Sequence, residues 1–202
     1  IFVHEDVYDK SVEDACKASG KVKIGMPWED DTQMGSQIDE RQAAKILEYV
    51  EIAKQEGGRV LCGGERYTEG ECAKGYFMRP TIFDNCTPDM TIVREEIFGP
   101  VVTIQTFQTE EEAIALANDT IYGLAGGVFT HQLERALRVV KEVRAGITWV
   151  NAFNPTYNEA PWGGYKMSGI GRELGVHGLE EYQEIKQVNI NLTPGPAGWY
   201  EH

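Results

Sequence analysis

The chain has 202 residues, 42% hydrophobic and 25% charged, and its 32 acidic against 19 basic side chains give a formal net charge of -13. That is an ordinary globular composition, long enough for one sizeable domain plus a short appendage. The acidic balance disfavours phosphate backbones and anionic lipid, so neither nucleic acid nor membrane is expected as a partner, and no apolar run approaches the roughly 18 residues of a membrane span.

Ile1 to His4 read as a strand, and a start inside a strand without Met reads as excised, although no signal-peptide pattern is present. A helix is expected over about residues 7–19, followed by a polar loop with Pro27, Asp30, Asp31 and Gly35. Asp39 is placed to cap a helix running to about Gln55, since Ala43, Ile46, Leu47, Val50 and Ala53 recur at helical spacing and Gly57-Gly58 stops it. Residues 59–62 read as a strand closed by Gly63-Gly64, and 67–77 as an excursion in the form of a hairpin. One β-branched strand is expected over 100–107. Thr109 caps a short helix over 110–118, whose Glu110-Glu111-Glu112 suits a helix start. A strand at 127–130, a helix at 132–144 with Leu133, Ala136, Leu137, Val140 and Val143 on one face, and a buried strand at 147–150 follow. The stretch 151–172 is too long for a plain connection; 173–182 reads as a helix. Val188, Ile190 and Leu192 alternate in a last strand, which pairs either within the domain or with another subunit. The alternation implies an α/β fold with a mostly parallel, doubly wound sheet whose ligands gather at loops beyond the strand ends.

Two stretches are candidates for chemistry. In Glu95-Glu96-Ile97-Phe98-Gly99-Pro100, a carboxylate can accept from ribose hydroxyls while Phe98 packs on a flat ring; the residues by themselves favour the plainer reading, in which the acids are solvated loop charges and Phe98 belongs to the core. In Ala160 to Glu173, glycines permit close backbone approach, Trp162 can offer its face to a cation, and Glu173 can sit at a helix start; equally, the stretch is a rigid connection. Neither has the spacing of a dinucleotide turn or a phosphate loop. His4, His131, His177 and His202 each stand alone. Cys16, Cys62, Cys72 and Cys86 form no C-x-x-C pair and no zinc pattern; scattered thiols point to a reducing, cytoplasmic setting.

Together these stretches resemble the aldehyde dehydrogenase superfamily. Glu95 to Pro100 and Gly163 to Gly175 match two of its motifs, and Leu61-Cys62-Gly63-Gly64, Tyr122-Gly123-Leu124 and Trp149-Val150-Asn151 fall in the family's order. The resemblance covers essentially the whole chain. It implies oxidation of an aldehyde to an acid: a cysteine thiolate attacks the carbonyl, hydride passes to NAD or NADP, and water hydrolyses the thioester with a glutamate as general base. It assigns Glu96 to the nicotinamide-side ribose, Phe98 to the nicotinamide, Gln42 and Lys45 to the same ribose, and Glu173 to a proton relay with a lysine upstream. Trp162 would line the aldehyde entrance. Main-chain oxygens of Lys166 and Gly169 would bind a monovalent cation such as potassium.

The same resemblance makes residues 1–182 a catalytic domain missing its N-terminal portion, and 183–202 an oligomerisation strand and tail of a dimer or tetramer. The nucleophilic cysteine, general-base glutamate and first coenzyme-binding domain would lie upstream, leaving the four cysteines structural and the chain inactive alone. Ala160 to Gly164 is most similar to betaine-aldehyde and aminoaldehyde members, with Trp199-Tyr200 in keeping; a broad-range aliphatic enzyme, or a non-catalytic assembly module, is the alternative.

Overall fold

The computed structural model describes residues 1–193 and 195; Trp199, Tyr200 and His202 lie outside the described residues. In chain order the elements are β1 (Phe2–His4), α1 (Tyr8–Ser19), α2 (Glu40–Gln55), β2 (Arg59–Cys62), β3 (Thr81–Asp84), α3 (Thr91–Arg94), β4 (Val101–Thr103), β5 (Gln105–Phe107), α4 (Glu110–Asn118), β6 (Tyr122–Gly123), β7 (Ala125–Val128), α5 (Leu133–Glu142), β8 (Ile147–Val150), β9 (Tyr165–Lys166) and α6 (Gly175–Glu180). Three strand pairs are parallel: β1 with β5, β3 with β4, and β7 with β8. β2 with β3 and β6 with β9 are antiparallel. The α/β class with mostly parallel pairing therefore holds, and α5 supplies the crossover that a parallel β7–β8 pair requires.

The helix caps behave as their residue types dictate. Asp39 is extended and its carboxylate accepts from the Gln42 amide at 2.7 Å, satisfying one of the donors that a helix start leaves unpaired. Thr109 does the same for α4 through the Glu112 amide at 3.1 Å. Glu110, in the first turn of α4, also binds Arg135 and Arg138 of α5. The apolar stripe of α2 builds the core: Ala43, Ile46, Val50 and Ala53 pack with Met78, Phe83, Met90, Ile92 and Ile97.

Several expectations are corrected. The single strand over 100–107 is two, because the chain changes partner at Ile104: β4 pairs β3, β5 pairs β1, and the Ile104 amide donates to Phe83 O at 2.8 Å between them. β3, fully buried, was not anticipated. The excursion has antiparallel legs, Tyr67 N to Phe77 O and Arg79 N to Glu65 O, but a 3-10 turn over Gly70–Lys74 at its tip. The strand expected at 127–130 sits two residues earlier, and the long connection after Val150 contains β9. Glu173 does not begin a helix: it is extended, α6 starts at Gly175, and Leu174 between them has φ +62°. Val188, Ile190 and Leu192 form no strand and stand exposed, so pairing within the chain is absent among the described residues.

β3 ends in a buried acid. Asp84 is 1% exposed and accepts from Tyr8 of α1 and from Arg59 of β2, the Arg59 Nε bond being 2.8 Å. The Arg59 bond holds the Asp84 carboxyl below its ordinary range against the opposing effect of burial, with the Tyr8 bond helping. A carboxyl so lowered stabilises the fold above its unfolded pKa of about 3.9, and that contribution disappears as pH falls through the lowered folded value. The urea midpoint of the chain is therefore expected to drop on acidification below about pH 4. Asp84→Asn should lower the midpoint at neutral pH and flatten that acid limb; an acid limb equally steep in the variant would place the titrating group elsewhere.

Candidate active site

The first group of candidates is set by α2. Three of its side chains, at positions 42, 45 and 49, lie on one helical stripe and grip the loop 95–98 in reverse order. Gln42 Nε2 donates to Phe98 O at 2.8 Å and Ile97 O at 3.0 Å. Lys45 Nζ donates to Glu96 O at 3.3 Å. The Tyr49 hydroxyl donates to Glu95 Oε2 at 2.5 Å. The adjoining buried stripe reaches the same loop, for a Cβ on Gly99 would stand 2.5 Å from Ile46 Cγ1, so the loop lies flat on the helix only because residue 99 has no side chain.

Held in this way, Phe98 has φ +56° and remains 72% exposed. Left-handed backbone is uncommon for a bulky residue and has to be imposed by its surroundings. The structure therefore overturns the reading of Phe98 as a core residue. Glu95, Glu96, Phe98, Gly99, Val101 and Thr103 help line a cleft of about 360 Å3. Glu95 is tied to Tyr49, whereas Glu96 is engaged through its main-chain oxygen alone among the described residues. The tie to Glu95 raises the Tyr49 phenol above its ordinary range.

The second group lies on the stretch after β8. Trp162 and Glu173 form an antiparallel bridge, each amide donating to the other's carbonyl at 2.7 Å. The expected entrance residue and the expected proton-relay carboxylate are thus directly opposite each other. Trp162 continues an aromatic row: its ring centroid is 6.5 Å from that of Trp149, which is 5.3 Å from that of Phe153. The Trp149 indole N–H is anchored on Pro155 O at 3.1 Å. Gly146 lets this stretch close on the start of β8, since a Cβ there would stand 1.8 Å from Gly163 O.

Lys166 and Gly169 both have left-handed backbone, φ +52° and +126°. The Lys166 ammonium donates to Asn118 O at 2.9 Å and Thr120 O at 3.1 Å, tying β9 to the chain leaving α4. Two neutral main-chain oxygens on an exposed turn make only part of a cation's shell, so no chemical step is assigned to a bound cation. Among the described residues there is no cluster of His, Cys, Asp and Glu fit to hold a metal, and no hydrogen bond or ring contact joins the two groups.

Cys16 lies in α1, Cys62 ends β2, Cys72 is in the 3-10 turn of the excursion and Cys86 follows β3, and all four are free. Burial, with Cys62 adjacent, raises the Cys16 thiol, and burial raises that of Cys86; a nucleophilic cysteine needs the opposite shift. His4 touches Asp6, Gln108 and Phe107, and His177 contacts Glu180. Sequence reasoning missed Tyr49. Its signal was present in the i, i+3, i+7 spacing of Gln42, Lys45 and Tyr49 on one helix.

A parallel-stranded α/β unit presenting a carboxylate-and-aromatic loop and, separately, a glycine-rich aromatic stretch has close counterparts. The aldehyde dehydrogenase family model matches residues 1–188, and the chain belongs to that family. It is 46% identical over 200 residues to betaine aldehyde dehydrogenase of Bacillus subtilis, covering 99% of this chain and 41% of that protein. It is 45% identical over 201 residues to a peroxisomal aminoaldehyde dehydrogenase of Pisum sativum, covering 100% and 40%. A crystal structure of betaine aldehyde dehydrogenase from Staphylococcus aureus in complex with NAD+ superposes with a TM-score of 0.96 at 44% identity, covering 100% of this chain and 40% of that one. The chain thus spans about 40% of the length of the relatives it matches.

The Gly99 contact gives a direct test. Gly99→Ala forces a methyl into buried Ile46, an overpacking cost of about 1–3 kcal/mol, or roughly 2–4 °C of melting temperature per kcal/mol in a chain of this size. A thermal melt that matches the parent would show that the loop does not rest on α2 as described.

Proposed function

We propose that this chain is part of an NAD-dependent aldehyde dehydrogenase that oxidises an aldehyde carrying a cationic nitrogen, with betaine aldehyde converted to glycine betaine as the leading case. The observation that carries the reading is the 95–99 loop: an exposed aromatic forced into left-handed backbone by α2, beside a carboxylate that has no side-chain partner among the described residues. That arrangement suits a ribose and a flat ring. Glu96 would accept from the ribose hydroxyls and Phe98 would pack against the nicotinamide. Gln42 and Lys45 hold the loop's main chain in place, within reach of the same sugar. NAD, when bound, supplies the hydride acceptor.

Trp162 supports the substrate class. Its indole, in a row with Trp149 and Phe153, offers the π-faces that attract a quaternary or primary ammonium, and the similar Bacillus and pea proteins are named for betaine aldehyde and aminoaldehydes. Glu173, across the bridge from Trp162, would exchange protons at that entrance. The nucleophilic cysteine and general-base glutamate would belong to the rest of the enzyme, in keeping with the raised Cys16 and Cys86 thiols. Main-chain oxygens of Lys166 and Gly169 would contribute to a potassium site completed elsewhere. The four free thiols fit a reducing, cytoplasmic compartment. The exposed alternation of Val188, Ile190 and Leu192 favours pairing with another subunit of a homo-oligomer, a dimer or tetramer, as the role of residues 183–202.

NADH formation tests this reading. The purified chain is expected to give none with betaine aldehyde or propanal, and the full-length enzyme to prefer betaine aldehyde. In that enzyme Trp162→Ala should raise KM for betaine aldehyde about 2- to 30-fold, the range of a cation–π contact, and leave propanal nearly unchanged. Equal losses on both aldehydes would remove the cationic substrate class. Turnover by the chain alone that vanishes on replacing one of its cysteines would relocate the nucleophile.

A further inference from the structure

Glu95 and Glu96 are adjacent carboxylates lining one cleft, yet they are treated differently. Among the described residues only Glu95 is tied down by a side chain, and the group that ties it is Tyr49. The Tyr49 ring packs on the core beneath α2 and lies under the Lys45 ammonium, 5.5 Å from the ring centroid. Lys45 in turn donates to Glu96 O. The ring is therefore fixed on both sides, and its hydroxyl is a rigid donor whose proton is retained well beyond neutral pH.

An untied Glu95 would be a second mobile carboxylate in the cleft. Like charges on neighbouring residues disfavour each other, and an extra negative charge also opposes entry of an anionic dinucleotide. We infer that Tyr49 is a positioning residue of the coenzyme site: its hydroxyl secures the Glu95 carboxylate on α2, leaving Glu96 as the single carboxylate free to accept from a ribose. Tyr49 acts through Glu95 and touches neither coenzyme nor aldehyde. The inference rests on the coenzyme reading of the cleft given above.

Steady-state kinetics and thermal melts on the full-length enzyme test it, with NAD as the varied ligand. Tyr49→Phe keeps the ring on the core and under Lys45 and removes only the hydroxyl. It is expected to raise KM for NAD about 3- to 10-fold, the range of one hydrogen bond's net contribution, with kcat at saturating NAD within about twofold and an unchanged melting temperature. Glu95→Ala removes the unwanted charge together with its tie, so adding Tyr49→Phe to Glu95→Ala should have no further effect on KM. An unchanged KM in Tyr49→Phe, a loss of affinity that follows a fall in melting temperature, or additive effects of the two substitutions would each overturn the inference. Glu96→Ala separates the two levels. If it raises KM for NAD while Tyr49→Phe does not, only the role of Tyr49 fails; if it leaves KM unchanged, the coenzyme reading of the cleft fails and the role of Tyr49 falls with it.

Discussion

Burial of one face of α2 is the constraint on which the rest depends. Ala43, Ile46, Val50 and Ala53 are driven against Met78, Phe83, Met90, Ile92 and Ile97 by the removal of apolar surface from water. A helix locked by one stripe has no freedom to choose where its neighbouring stripe points. The polar stripe 42, 45, 49 is adjacent to the buried one and so necessarily faces the loop that runs along its rim. The loop's conformation, including the left-handed Phe98, is a consequence of core packing as much as of its own hydrogen bonds.

This coupling explains why a strained aromatic can be held on an exposed loop. An exposed Phe in left-handed backbone gains little from burial and has to be paid for by its surroundings. Here the compensation is distributed: two hydrogen bonds from Gln42, one from Lys45, one from Tyr49, and a Gly99 that permits contact with Ile46. The second loop is held in a different way. Between β8 and α6 it relies on backbone pairing at Trp162 and Glu173, on Arg172 donating to Gly164 O and Gly171 O, and on the Lys166 ammonium at the end of α4.

What could be read from the sequence follows from the range over which each signal acts. Caps are local, so Asp39 and Thr109 marked α2 and α4 to within a residue. Helical periodicity found the core stripe for the same reason. β3 has only four residues, Thr81-Ile82-Phe83-Asp84, and its buried acid disguises it. Asp84 is tolerable there because Arg59 and Tyr8, distant in sequence, meet it. The change of partner at Ile104 is likewise decided by what lies alongside, with Phe83 on one side and β1 on the other. Within the candidate site, residues 42, 45, 96, 98, 162 and 173 were expected from the family resemblance. Their grouping into a helix-held loop and a paired aromatic stretch was not, because that grouping is tertiary.

What this chain's own side chains suit is also a physical matter. A site that must activate a thiol places it near positive charge or a helix start, and the Cys16 and Cys86 environments push the other way. What the described residues offer is donors, acceptors and π-faces held rigidly at the edge of a packed core. Such groups recognise and orient, which is the work that proximity and orientation require of an enzyme surface. Fixing a recognising loop through a core helix, as α2 fixes residues 95–99, leaves little slack to become misalignment of whatever the loop binds.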